Sequence, residues 1–277
     1  MKVRAKEAYQ KQFNTFRQGR VNKRAEVRRQ LAIRNNLEKR FYKKLNTLFR
    51  KFGNVQMFLF KQYGIYEPEI AERALAEDLF PLMLSHYRRV FLAVYRSNES
   101  KYDMNRKDEE AFVFGRSVDF EVLVNNYFRT KQLVLAGITG RMASRISRLI
   151  EQGRADNLTL PQITALVSTK FNAISRSRAA LISRTETHNA ASFANHSYHQ
   201  TIERETGTKM LKQWVATNDE RTRSAHSAAN GQTVDMSENF IVGGAQMEFA
   251  GDAKGGAKNV INCRCVVVYA DERDSIT

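Results

Sequence analysis

The stretch MLKQWVATNDERTRSAHSAANGQTVDM, residues 210–236, marks a change in the pattern of the chain. Residues 210–216 alternate as a strand does, residues 218–231 read as a short helix closed by Gly231, and QTVDM reads as a second extended piece. Downstream, GGAQMEFAGDAKGGAKN holds five glycines and reads as a long loop or irregular hairpin, leading into a valine-rich strand over residues 263–270. This C-terminal third is small α+β.

Upstream the spacing is helical. The chain has only three prolines, Pro68, Pro81 and Pro161, so long helices are permitted almost throughout. Leu37, Phe41, Leu45, Leu48 and Phe52 form a 3–4 spaced stripe. Glu67-Pro68-Glu69 reads as a helix start, and Pro81 is expected to kink or restart that helix. SNESKYDMNRKDEE reads as a loop. Thr159-Leu160-Pro161 opens a short helix through Phe171. From Ser175 a further helical face carries Ala180, Thr187, Ala191, Ala194, Tyr198 and Ile202 and ends at Gly207; its small residues predict close packing. The expected fold is a mainly α N-terminal and middle region with a small α+β C-terminal domain. It divides into a basic helical arm (1–60), a helical body (61–174) and an α+β domain (175–277).

The charge is concentrated. The chain carries +16 overall with a pI near 10.0. Residues 1–60 hold 17 Lys or Arg against three acids, a net +14, which leaves +2 for the rest. A basic arm on a nearly neutral body predicts a polyanionic partner, met through Arg20, Lys23, Arg24, Arg28, Arg29, Arg34, Lys39, Arg40, Lys43 and Lys44. No stretch approaches the roughly 18–20 apolar residues of a membrane span, and the first residues lack a signal-peptide core, so a soluble chain without membrane contact is expected.

Two groups carry candidate chemistry. Asp219, Arg223 and His226 are spaced +4 and +3, which on a helix shares one face; they suit general acid/base work, or else a cap, an ion pair and a packing residue. Cys263 and Cys265, the only cysteines, fall on one face of the expected strand. An i, i+2 pair lies about 6.5 Å apart at Cα, near the limit for bridging, which disfavours a mutual disulfide. With His226 they make a zinc-type donor set, for which Asp219, His188 or water are candidate fourth ligands. Two small side chains filling the core under the helix is the expected reading; zinc is the first alternative it leaves open, and a catalytic thiol, which needs an electropositive and accessible setting, the second. His188, His196 and His199 read as surface or interface histidines, and Trp214 as core. There is no dinucleotide, Walker or nucleophile-elbow motif, and no zinc-deaminase signature.

The residues SRSRAALISRTETHNAA, then WVATNDERTRSAHSAANGQTV, a glycine-rich loop and NCRCVVV resemble the phage head-morphogenesis, or Mu F-like minor head, proteins. The matching positions are Arg184, Thr185 and Glu186; Trp214, Asp219, Arg221, Thr222, Arg223 and His226; Gly231 and Gln232; and Asn262, Cys263, Arg264 and Cys265. The resemblance covers about residues 175–270; the proline that the family commonly places before N-C-R-C is missing here. It implies a minor, non-enzymatic component of a tailed-phage head, made in the host cytoplasm and held in the head interior near the portal vertex. Its implied partners are the portal or major capsid protein and nonspecific double-stranded DNA, with a role in morphogenesis, packaging or ejection. A metal-assisted hydrolase centred on His226, Asp219 and Cys263/Cys265 is the rival reading.

Overall fold

A computed structural model describes residues 20–101 and 118–277. In chain order the elements are β1 (Arg20–Val21), α1 (Lys23–Tyr63), α2 (Pro68–Lys101), α3 (Val118–Ala155), α4 (Leu160–Thr206), β2 (Met210–Val215), α5 (Ser224–Ala228), β3 (Thr233–Asp235), β4 (Phe240–Val242), β5 (Ala245–Met247), α6 (Gly256–Val260), β6 (Val266–Asp271) and β7 (Ser275–Ile276). The expected class holds, with long helices first and short strands gathered at the C-terminal end. The described chain forms two compact units, one of residues 38–88 and 121–183, the other of residues up to 37, 89–120 and 184–277.

The first unit is helical. Phe41, Leu45, Phe49 and Phe52 of α1 are buried, as the 3–4 stripe predicts, against Leu75, Leu79 and Met83 of α2 and Val167 and Phe171 of α4 in the unit's core. Phe41 stacks on His86 with ring centroids 3.7 Å apart. Gly53 lets α1 meet α4 closely, since a Cβ there would lie 2.5 Å from the Phe171 ring. Of the kink or restart expected at Pro81, the restart does not occur: α2 runs through it. Pro81 and Glu77, whose carbonyl loses its helical donor, are both exposed residues. Helix α4 is likewise one element from Leu160 to Thr206, not two, and Gly207 at φ 69° ends it.

The second unit joins helical segments to a sheet of order β3-β2-β6. Strands β2 and β6 pair antiparallel from Met210↔Asp271 to Val215↔Val266. Strand β6 is an edge strand yet every residue in it is buried. Its edge is covered: Gln30 of α1 donates to the Val267 carbonyl at 2.9 Å, and Val21, Val27 and Ile276 pack on Val268 and Ala270. The glycine-rich segment forms the β4–β5 hairpin, with Gly243 and Gly244 both at positive φ (57° and 80°) as a tight two-residue turn requires. Of the expected SNESKYDMNRKDEE loop, residues 97–101 are helical; the remainder lies outside the described residues.

Helices α1, α2 and α4 meet in this unit through buried polar groups. Arg29 donates to both Glu26 oxygens at 2.6 and 3.0 Å and to Asn98 Oδ1 at 2.8 Å. Asn98 in turn donates to Asn195 Oδ1 at 2.8 Å. Burial alone would raise the Glu26 carboxyl, but Lys101, Arg29 and Gln30 outweigh it and hold it down to about 2. His188, His196 and His199, expected at a surface, are all buried. His199 stacks on Tyr269 at 4.2 Å and 11°, and its Nδ1–H donates to the Asn195 carbonyl at 2.7 Å. Its pKa falls to about 3, because burial penalises the imidazolium and Lys101 repels it.

Candidate functional site

Three side chains singled out in the sequence converge in the second unit. His226, on the one-turn helix α5, and Cys263 and Cys265, just ahead of β6, are each no more than 2% exposed. Their donor atoms all lie within 4.8 Å of one another. Nδ1 of His226 is 3.3 Å from the Cys265 sulfur and 3.7 Å from that of Cys263. Both cysteines are free thiols. Each holds the other off its ordinary value: Cys263 is pushed well down because Cys265 donates to it and His188 and His226 lie beside it, while Cys265 is pushed up by the same hydrogen bond.

The sequence places these groups by local means. Asn262 takes a left-handed conformation (φ 57°) that asparagine tolerates and most side chains do not. The following residues then alternate, with Cys263 and Cys265 turned inward and Arg264 partly exposed. The alternation is that of a strand, although pairing begins only at Val266.

Three other motif side chains hold this turn, and the rest brace the surrounding segments. The Asn262 amide donates to Thr185 Oγ1 at 3.2 Å, Arg184 donates to Asn262 Oδ1 at 3.3 Å, and Arg223 donates to the Ile261 carbonyl at 2.6 Å. Arg264 grips both carboxylate oxygens of Asp219. The Gly231 amide donates to the Trp214 carbonyl at 2.8 Å, and the Gln232 side chain brackets the backbone of Ile241 at 2.8 and 2.9 Å. Trp214 is core, as expected, edge-on to His226 at 5.8 Å.

Asp219 departs from expectation. Helix α5 begins at Ser224, with Arg223 as its N-cap, so Asp219 and His226 do not share a helical face. Asp219 sits in the preceding turn, where its carboxylate accepts from the Arg221 amide and from Thr222. Arg264 in particular holds its pKa far below the usual carboxylate range. A carboxylate so engaged is neither an available base nor a free metal ligand, which removes the acid/base triad.

The basic residues divide. Arg24, Arg28, Lys39, Arg40, Lys43 and Lys44 are exposed and Lys23 is half-buried. The backbone of Arg20 pairs with Ser275; its side chain, like residues 1–19 of the expected arm, lies outside the described residues. Arg29 is committed to Glu26 and Asn98. Arg34 corrects the sequence reading: it is 6% exposed, bonded to His188 Nδ1 at 2.5 Å and donating to the Arg264 carbonyl at 3.1 Å, so it faces the cysteine turn instead of a polyanion. In the helical unit, Lys43, Lys44 and Lys51 line an open groove of about 480 Å³ with Thr47, Leu48, Asp78 and Leu82.

The turn between α6 and β6 is latched by Arg184, Thr185 and Arg223, with Arg264 bound to Asp219 beside it. Residues 140–268 match the family described as Phage Mu protein F like protein. It is 30% identical over 133 residues to the minor head protein GP7 of Bacillus phage SPP1, a match covering 46% of this chain and 41% of that protein. It is also 28% identical over 154 residues to the NAD(+)–arginine ADP-ribosyltransferase EFV of Enterococcus faecalis (strain ATCC 700802 / V583), covering 52% of this chain and 31% of that protein. The matches thus span less than half the length of either relative. No solved structure matches the chain. Among the described residues no helix is long and apolar enough to cross a membrane.

Proposed function

We propose that this chain is a minor structural protein of a tailed-phage head, bound to portal or capsid protein inside the head near the portal vertex and touching packaged DNA through exposed basic residues of α1. The observation that supports the structural reading is the engagement of the motif: Arg184, Thr185 and Arg223 are spent on the backbone turn at residues 261–262, and Arg264 and Asp219 on each other. The name of the SPP1 relative supports a head role. The hydrolase reading loses its base with Asp219, and the buried cysteines offer no open face to a substrate. The likeness to the ADP-ribosyltransferase covers under a third of that protein, and no residue of the site favours transferring its activity.

For protein docking, the helical unit exposes Phe58, Tyr63, Ile65 and Ile70 around the α1–α2 connection, each more than half exposed. Apolar residues grouped on a surface mark contact sites. For DNA, the lysine-lined groove and the exposed Lys39 and Arg40 supply point charges without base-reading geometry, so binding is expected to be independent of sequence. Filter binding to double-stranded DNA across a salt series tests this. The affinity should fall linearly on logarithmic axes, and replacing Lys39, Arg40, Lys43 and Lys44 by Ala should flatten the slope by up to about 3–4. An unchanged slope would remove DNA from the proposal and leave the head role standing.

A further inference from the structure

The cluster of Cys263, Cys265 and His226 has a geometry that packing alone does not require. In tetrahedral zinc sites, with Zn–S about 2.3 Å and Zn–N about 2.0–2.1 Å, neighbouring sulfur and nitrogen donors stand roughly 3.5 Å apart. Here the two sulfurs stand 3.3 and 3.7 Å from the same imidazole nitrogen. The remaining nitrogen of His226 is buried without a hydrogen-bond partner among the described residues, so the ring is oriented by the two sulfurs and by the edge-on Trp214. Soft thiolates with one imidazole select zinc over the hard cations.

Each sulfur also has neighbours suited to a metal-bound thiolate. Cys265 meets the Thr217 backbone and the Trp214 indole, and Cys263 meets His188. Arg34 fixes what His188 can do. A guanidinium only donates, so His188 Nδ1 must accept the 2.5 Å bond from Arg34 and the proton must sit on Nε2. That Nε2–H is fully buried and has no conventional hydrogen-bond partner. Such a ring donates to a thiolate and cannot ligate, while Asp219 is spent on Arg264.

We propose that Cys263 Sγ, Cys265 Sγ and His226 Nδ1 bind one zinc ion, with the fourth position left to a single water molecule, and that Arg34 and His188 are positioning residues that hold the Cys263 thiolate from behind. Binding releases the thiol protons to solvent, and the ion neutralises the two thiolates. The site ties α5 to the start of β6, across the segment between residues 226 and 263, and stabilises the fold without acting on a substrate.

The test uses the full-length chain without a histidine tag. After dialysis against metal-free buffer, elemental analysis should find about one zinc per chain, and chelation should lower the unfolding temperature. Cobalt exchanged for zinc should give thiolate-to-metal charge transfer in the near ultraviolet and tetrahedral bands in the visible. Cys263→Ser and Cys265→Ser should each weaken the charge transfer, and His226→Ala should collapse the visible bands. His188→Gln should keep the stoichiometry and the spectrum while weakening affinity about 10- to 100-fold, as loss of an outer-sphere partner does. Wild-type chain that retains no zinc and gives no charge transfer with cobalt overturns the site, and this result does not depend on any variant folding. Collapse of the visible bands in His188→Gln to the degree seen in His226→Ala would make His188 a ligand and overturn the assigned donor set.

Discussion

Replacing Arg34 by Ala should destabilise the sheet-bearing unit and leave DNA binding alone. The side chain makes a buried hydrogen bond to His188 Nδ1 at 2.5 Å and a part-buried one to the Arg264 carbonyl at 3.1 Å. Hydrogen bonds from a charged donor contribute about 1.5–3 kcal/mol each, and truncation leaves the buried His188 acceptor dry in the interior. Releasing a desolvated guanidinium returns part of that, so the net loss is about 3 kcal/mol, at the lower end for breaking a buried charged contact. Lys at this position should recover little, since one ammonium lacks the fork that reaches both acceptors. Trp214 is the only tryptophan and is fully buried in the affected unit, so its fluorescence in a urea titration reads the change directly. DNA binding of the folded variant should show the parent's salt slope. A variant within 0.5 kcal/mol of the parent, with a slope reduced by about 0.9, would refute the reasoning and return Arg34 to the DNA-facing set.

Glu99 is buried, and its Oε1 has no hydrogen-bond partner among the described residues. Burial pushes its carboxyl up to about 7, against the pull of Arg96. A raised carboxyl favours the folded state while protonated, so its contribution is whole below about pH 4.5 and lost as the pH rises through 7. Glu99→Gln should therefore gain on the parent by about 1–2 kcal/mol between pH 5 and 8.5 after allowance for screening, and parallel pH profiles would contradict this. Gly53→Ala places a Cβ 2.5 Å from the Phe171 ring and should cost about 1–3 kcal/mol by overpacking, read by circular dichroism in the same titration. An unaffected midpoint would mean that α1 and α4 are less closely packed than described.

What the sequence made legible followed from periodicity and from chemically distinctive residues. The stripe through Phe41, Leu45 and Phe52 located the helical core, and the strand alternation of residues 210–215 located β2. The convergence of His226 with the two cysteines was visible because the strand and the short helix were both recognised. Arg34 was misread from its charge, although its position was informative. It lies seven residues after Val27 and seven before Phe41, on the buried stripe, and a charged residue at such a position is paired inside more often than hydrated. His188 was misread similarly, since the small residues around it already predicted close packing. The acid/base face through Asp219 failed because the spacing assumed a helix where a turn comes first, with Thr222 and Arg264 competing for the carboxylate. Pro81 does not restart the helix, because the penalty depends on whether the freed carbonyl is dry, which spacing does not reveal.

The central claim is that the chain is a structural part of the head. Quantitative mass spectrometry of purified, DNA-filled particles from a phage that carries this chain tests it most directly. The account predicts the chain in finished heads at a few copies, far below the major capsid protein and retained after the tail is removed. Its absence from finished heads while present in the infected lysate would contradict that claim.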